Sequence, residues 1–257
     1  MKSHRCTISP REFDAVIFDM DGVVTRTAHV HAAAWKKMFD SYLETRSQRT
    51  GESYEAFSVA RDYTRHVDGK PRYDGVRDFL ASRGIELPEG TSEDDPDEES
   101  VRGLGNRKNI FFQQVLEEQG AQCYATTVTL IRQLHAAGIK TAIISASKNA
   151  RAVLAAAGVA DLFQARVDGL DAEESGLPGK PAPDVFLAAA KQLGATPQRS
   201  VVVEDAQSGV QAGRAGGFGL VIGVDRADQR EALAEYADIV VKDLEEVGIG
   251  SVGNGQS

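Results

Sequence analysis

The sequence predicts an α/β protein: a doubly wound, Rossmann-like parallel-sheet core with an inserted all-helical cap domain. Three observations predict it. Short, almost continuously apolar runs such as Ala142-Ile143-Ile144 and Val201-Val202-Val203 alternate with stretches of helical periodicity, and strands apolar on both sides belong in a parallel sheet covered by helices. A polar turn directly follows the first such run. A long segment with helical periodicity and no convincing strand then separates that run from the others.

The elements follow in order. Phe13–Phe18 reads as a short buried strand stopped by the turn Asp19–Gly22. His29–Leu43, Tyr54–His66, Asp74–Arg83 and Asn109–Gln119 carry helical spacing. They place a cap at 28–122, inserted into a core of 1–27 and 123–257, with hinges near Val24–Thr27 and Gln122–Thr126. Within the cap, Ser92–Ser100 is densely acidic. It lacks the ligand spacing and central glycine of a calcium loop and is expected to be a solvated surface loop. The core resumes with a helix at Thr126–Ala137, a strand at Ile139–Ile144 and a helix at Lys148–Ala157 stopped by Gly158. Asp184–Leu193 is helical, Ser200–Val203 a strand, Ala206–Ala215 a helix and Gly219–Val224 a strand. Gln229–Tyr236 is a helix and Ile239–Val241 the last strand. Gly248–Ser257 is rich in Gly and Ser and expected to fray. There are no internal repeats.

Composition narrows the function. A chain of 257 residues, 42% hydrophobic and 26% charged, is ordinary for a soluble protein with a real core. A formal charge of -9 argues against a nucleic-acid partner, which calls for a basic face. A few placed cations still suffice for a small anionic substrate. No apolar run reaches the length of a membrane span, and Met1–Glu12 lacks the apolar stretch of a signal peptide. Cys6 and Cys123 make no disulfide framework. The expected location is the cytoplasm, and the expected state a monomer.

In an open parallel sheet, ligands collect beyond the carboxyl ends of the strands. Asp19 and Asp21 follow the first strand, Ser145 follows Ile143-Ile144, and Glu204 and Asp205 follow Val201-Val202-Val203. Lys180 lies in a stiff turn, Gly179-Lys180-Pro181, that leads into a helix. Four acidic groups in one crevice need a cation, and oxygen donors favour Mg²⁺. With Lys180 and the Ser145 hydroxyl, such a cation would hold the oxygens of a phosphoryl group. One carboxylate can then attack phosphorus, while the other moves a proton to or from the bridging oxygen. Singly, each motif has an ordinary alternative: a turn, a loop, or helix caps at Ser145 and Glu204-Asp205. Their joint occurrence, in order, carries the functional reading.

On Asp19-Met20-Asp21-Gly22-Val23, Ile143-Ile144-Ser145, Lys180-Pro181 and Glu204-Asp205, the chain resembles the haloacid dehalogenase superfamily of phosphotransferases over essentially its whole length. The resemblance implies Asp19 as nucleophile, Asp21 as general acid/base, and Ser145 and Lys180 on the phosphate. It implies Mg²⁺ on Asp19, the Asp21 carbonyl, Glu204 and Asp205. Dehalogenation does not fit, because dehalogenases lack the second aspartate and the metal site.

Local detail resembles the β-phosphoglucomutase family. Thr27, His31 and Trp35 recur every four residues along one helix face, and Ser145-Ala146-Ser147-Lys148-Asn149 is similar to that family's loop. Gly69-Lys70-Pro71-Arg72 and Asn106-Arg107-Lys108-Asn109 stand where the family carries cap contacts; Lys70 itself matches none of them. The implied reaction takes β-D-glucose 1-phosphate to glucose 6-phosphate through glucose 1,6-bisphosphate. Arg72, Ser147, Lys148 and Asn149 would hold the phosphate not being transferred, Arg72 as a bidentate donor and Lys148 near a helix start. Thr27, His31, Trp35, Lys108 and Ala146 complete the expected substrate contacts. Alternatives are a sugar-phosphate phosphatase and an inactive binding module. Taken alone, Trp35 reads as packing, His31 as an ordinary helix residue, and Arg72 and Lys108 as surface cations. The cap is longer than the family pattern, and relatives of this cap are associated with disaccharide phosphorylases that release β-glucose 1-phosphate.

Overall fold

A computed structural model of the protein describes residues 6–250. The chain forms two compact units, Met1–Arg26 with Ala121–Ser257, and Thr27–Gly120. Residues 251–257, most of the tail expected to fray, lie outside the described residues, as do residues 1–5.

The first unit is built on a parallel sheet. In chain order its strands are β1 (Cys6–Ile8), β2 (Ala15–Asp19), β3 (Lys140–Ile144), β4 (Ala165–Val167), β5 (Ser200–Glu204), β6 (Leu220–Val224), β7 (Ile239–Val241) and β8 (Val247–Ile249). Six of them form one sheet in the order β4-β3-β2-β5-β6-β7, and β1 pairs with β8 in a second, two-stranded sheet. Every residue of β2 and β5 is buried, as continuous apolar strands require. Alternate residues face opposite sides. Ala15, Ile17, Ala142, Ile144 and Val202 pack with Phe186, Val210 and Leu233 into one core, while Val16, Phe18, Ile143, Val201 and Val203 are buried on the other side.

The second unit contains no strand. Its helices are α1 (Ala28–Thr50), α2 (Arg72–Ser82) and α3 (Val101–Gln119), with a π-helical segment at Val59–Val67. An aromatic stack holds them: Trp35 lies 5.2 Å from Phe39, and Phe39 lies 5.3 Å from Phe57 and 4.0 Å from Phe79 between ring centroids. In the first unit the helices are α4 (Ala125–Ala136), α5 (Ala150–Ala156), α6 (Gly169–Glu174), α7 (Asp184–Leu193), α8 (Gln207–Ala215) and α9 (Arg230–Ala234).

The structure corrects several expected elements. β2 ends on Asp19 itself. Ile239–Val241 is not the last strand, because β8 follows and takes in Gly248 and Ile249. The strands β1, β4 and β8 are three residues each, too short to show a period. Helix α3 starts at Val101, well before Asn109. Gly103 and Gly105 dilute its helical signal for a packing reason. A Cβ on Gly105 would lie 2.6 Å from the Tyr73 ring, and one on Gly103 would lie 2.4 Å from the Glu98 carbonyl oxygen. The periodicity at Tyr54–His66 becomes the π-helical turn at Val59–Val67, and α5 starts at Ala150 rather than Lys148.

The acidic stretch is more than a solvated loop. The Asp94 carboxylate accepts from the Thr91 backbone N–H at 3.0 Å and the Ser100 hydroxyl at 2.5 Å. Asn106 and Arg107 of α3 donate to the carbonyls of Asp94 and Pro96 at 2.9 and 2.7 Å, and Arg49 of α1 pairs with Glu99. Glu93, Asp95, Asp97 and Glu98 are exposed, while Asp94, Glu99 and the backbone are tied to neighbouring groups.

One ion cluster anchors the helical unit. The Asp62 carboxylate, 2% exposed, accepts from Arg61 at 2.9 Å, Arg83 at 2.7 Å and the Ser58 N–H at 2.9 Å. Burial works against its charge, but these donors outweigh burial and hold the carboxyl well below its usual range. A depressed folded-state value gives stability that is present above the unfolded-state pKa of about 3.9 and lost as pH falls. Asp62→Asn is expected to lower stability at pH 7 by about 2 kcal/mol. The difference from wild type should shrink below pH 4 in denaturant titrations.

Candidate active site

The carboxyl ends of β2, β3 and β5 lie side by side, since β2 pairs with both β3 and β5 in parallel register. This brings Asp19, Ser145 and Glu204 to one edge of the sheet. Lys180, in the loop before α7, reaches in between. Its ammonium donates to Asp19 Oδ1 at 2.5 Å and to Glu204 Oε1. Asp19, Ser145, Lys180 and Glu204 are 6%, 6%, 5% and 0% exposed, so these charges meet out of water, where their interaction is strong.

That burial sets the proton affinities. Desolvation pushes the Asp19 carboxyl well above its normal range; Lys180 opposes the shift, and the charges of Glu204 and Asp21 add to it. Burial works against the Lys180 ammonium too, but Asp19 and Glu204 overcome it and hold that pKa above normal. Lys180 is thus the fixed cation that keeps two buried carboxylates together. Glu204 is oriented further by the Ala206 N–H, which donates to its second oxygen at 2.7 Å.

Asp21 stands two residues beyond Asp19, half-buried, with the Ser145 hydroxyl 3.5 Å from its Oδ2. Its turn is tightly built. Gly22 N–H donates to the Thr25 carbonyl at 2.8 Å, and the Thr25 hydroxyl donates to the Met20 carbonyl at 3.1 Å. Gly22 has φ +83°, and a Cβ there would lie 1.7 Å from Asp205 Oδ2. Only glycine allows Asp205 to lie against this turn.

Asp19, Glu204 and Asp205 each offer a carboxylate oxygen within 4.8 Å of the others. An all-oxygen acidic donor set of this size fits a hard divalent cation rather than zinc, and the missing side chain at Gly22 keeps Asp205 close to the set. Asp21 lies outside this carboxylate group, where only its backbone carbonyl was expected to contribute.

Beside Ser145, the loop Ala146–Asn149 is half-buried. Ser147 N–H donates to Ser145 Oγ at 3.0 Å and Asn149 N–H to Ser147 Oγ at 3.1 Å.

In the helical unit, the Lys108 ammonium lies 2.8 Å from His31 Nδ1 and sits over the rings of Trp35 and Phe112 at 5.0 and 4.9 Å. His31 stacks on Phe112 at 4.2 Å. Trp35 belongs to the aromatic core. Thr27 is buried before α1, its carbonyl accepting the His31 N–H at 3.0 Å. Arg72 opens α2 and donates to Asn109 Oδ1 at 2.8 Å. Lys70 instead pairs with Asp78, which also faces His66 Nδ1 at 3.3 Å.

A sequence model of the haloacid dehalogenase-like hydrolase family matches residues 13–217. The chain is 48% identical over 242 residues to a β-phosphoglucomutase of Mycobacterium tuberculosis, covering 93% of this chain and 92% of that one. The chain belongs to the haloacid dehalogenase superfamily, in its β-phosphoglucomutase-like family. It is also 44% identical over 246 residues to a M. tuberculosis protein named an uncharacterized glycosyl hydrolase, of which it covers 18%. Among solved structures, a β-phosphoglucomutase from Clostridium difficile superposes with a TM-score of 0.67 at 25% identity, covering 91% of this chain and 92% of the other. As a member of this superfamily the protein is an enzyme, of the phosphatase and mutase kind.

Sequence reasoning missed several residues that hold this family site together. Arg226, just after β6, donates to the Gly22 carbonyl at 3.0 Å and lies 3.8 Å from the Tyr124 ring centroid; nothing in its local sequence marks it. Asp168 and Asp171 form a capping box at the start of α6, a spacing that was legible in principle.

Replacing Lys180 by Met would leave Asp19 and Glu204 buried face to face without their counter-charge. The Lys180→Met protein is expected to lose about 3 kcal/mol of stability, read by chemical denaturation, together with its phosphoryl-transfer activity.

Proposed function

We propose that the enzyme is a magnesium-dependent β-phosphoglucomutase, converting β-D-glucose 1-phosphate to glucose 6-phosphate through a phospho-Asp19 enzyme and glucose 1,6-bisphosphate. The observation that carries the reading is the buried strand-end arrangement in which one Lys180 ammonium holds Asp19 against Glu204, with Asp21 and Ser145 beside them. The 48% identity to a protein of that name supports the choice of reaction.

Asp19, attacking phosphorus, forms the acyl phosphate as the phosphorus bond to the donor oxygen breaks. Asp21 gives its proton to the departing oxygen and takes one from the accepting sugar hydroxyl in the reverse transfer. The C6 hydroxyl of β-glucose 1-phosphate accepts the phosphoryl group, giving the bisphosphate; its C1 phosphoryl group then returns to Asp19, leaving glucose 6-phosphate. Lys180 and the Ser145 hydroxyl would hold the non-bridging oxygens, whose charge they balance. Asp19, Glu204, Asp205 and the Asp21 carbonyl would hold Mg²⁺, which supplies further positive charge to the transferring group.

Ser147, Lys148 and Asn149, with the backbone of Ala146, are the proposed contacts to the phosphate not in transfer, and Arg72 is a further proposed phosphate contact. Thr27, His31, Trp35 and Lys108 are the proposed cap determinants of sugar binding. A long relative named a glycosyl hydrolase contains a segment similar to this chain. A disaccharide phosphorylase is the proposed supplier of the β-glucose 1-phosphate. The family's description as hydrolases favours one second reading, a sugar-phosphate phosphatase in which water accepts the phosphoryl group.

Phosphorus NMR separates the two. With β-glucose 1-phosphate, Mg²⁺ and a trace of glucose 1,6-bisphosphate, the expected product is glucose 6-phosphate without inorganic phosphate. Stoichiometric inorganic phosphate would replace the mutase by the phosphatase. Asp19→Asn should abolish turnover of every phosphate donor, and wild-type rates in that variant would remove the nucleophile assignment. Arg72→Ala is expected to lower kcat/KM for the mutase reaction by about tenfold or more and to spare hydrolysis of a small aryl phosphate. Equal losses would refute the Arg72 contact.

A further inference from the structure

Helix α6 packs directly on the loop Ser145–Asn149. Gly169 N–H donates to the Ser147 carbonyl at 3.2 Å. A Cβ on Gly169 would lie 2.6 Å from the Ala146 carbonyl oxygen and 3.0 Å from the Lys148 nitrogen, so the approach requires glycine. The preceding residue anchors the helix. The fully buried Asp168 carboxylate accepts the N–H groups of Leu170 and Asp171 at 2.9 and 3.1 Å, and Nε of Arg151 and Arg166 at 3.0 and 3.1 Å. From this fixed base the helix carries Glu173 to Lys148, whose ammonium donates to the Glu173 carboxylate. The Lys148 side chain is 21% exposed and that of Glu173 49%.

We propose that Glu173 is a positioning residue of the sugar-phosphate site: its carboxylate shares the Lys148 ammonium and limits how tightly the loop grips the phosphate not being transferred. This deepens, and rests on, the mutase reading above. The bisphosphate intermediate must exchange its ends between two half-reactions. A lysine whose charge is undivided would favour holding it in one orientation. A half-exposed ion pair contributes little to folding, yet the helix that presents this one is fitted to the loop through a glycine and a buried aspartate. Glu173 adds no contact to the reacting phosphoryl group. Its effect falls on binding that is equal in ground and transition states, which changes KM without raising kcat.

The test compares Glu173→Gln, Lys148→Ala and the double variant. Each is assayed with β-glucose 1-phosphate plus glucose 1,6-bisphosphate, and separately with p-nitrophenyl phosphate. Glu173→Gln is expected to lower KM for β-glucose 1-phosphate, and the half-activating bisphosphate concentration, by about two- to fivefold. It should not raise kcat, and the aryl phosphate should show no corresponding fall in KM. In the Lys148→Ala background the same substitution should have no effect. An unchanged KM, an equal change with the aryl phosphate, or the same change without Lys148 overturns the proposal and leaves the mutase reading standing. Wild-type release of inorganic phosphate in place of glucose 6-phosphate overturns both.

Discussion

Two carboxylates at the ends of neighbouring buried strands repel each other, and the ammonium of Lys180 is what allows Asp19 and Glu204 to sit there together. Other features of the site follow from that constraint. Glu204, pulled by Lys180 on one oxygen and by the Ala206 N–H on the other, fixes the start of the following turn. The next residue, Asp205, then lies against Gly22, at a distance no other residue at position 22 permits. Gly22 in turn belongs to the turn that carries Asp21. Asp19, Asp21, Glu204 and Asp205 are therefore one connected piece of covalent and ionic geometry rather than independent placements.

Such an assembly suits phosphoryl transfer, in which the protein's part is mostly positioning and charge. It does not by itself choose the acceptor. Groups that contact the acceptor rather than the reacting phosphorus would have that choice, and several of the proposed ones stand in the helical unit. There Lys108 and His31 are held over aromatic rings, and Arg72 is held by Asn109. Each polar group of this kind rests on a packed aromatic neighbour or a side-chain amide, which limits the positions it samples. In the first unit the loop Ser145–Asn149 is set by its own hydroxyls and by α6.

Much of the fold and most of the polar cluster at the strand ends were legible in the sequence. Apolar runs of three to five residues with polar residues or turns at their ends mark β2, β3, β5 and β6, because a strand buried on both faces admits little else. Asp19, Asp21, Ser145 and Glu204 lie at or just beyond such ends. What escaped was of two kinds. Three-residue strands such as β4 and β8 have no period to detect, and they exist because neighbouring strands supply their hydrogen bonds. The first half of α3 was hidden by Gly103 and Gly105, which are poor helix formers locally and are explained by a carbonyl and a tyrosine ring packed against them.

The sequence by itself determined the family, the layered α/β architecture and which polar side chains stand at the strand ends, since these depend on residue type and on hydrophobic period. The tertiary structure decided how those side chains are charged and held. It placed Lys180 between two carboxylates, Arg226 on the Gly22 carbonyl across 204 positions, and Glu173 on Lys148. Ion pairs and close approaches of that range leave no local pattern, because the partners are set by which strands and helices lie side by side.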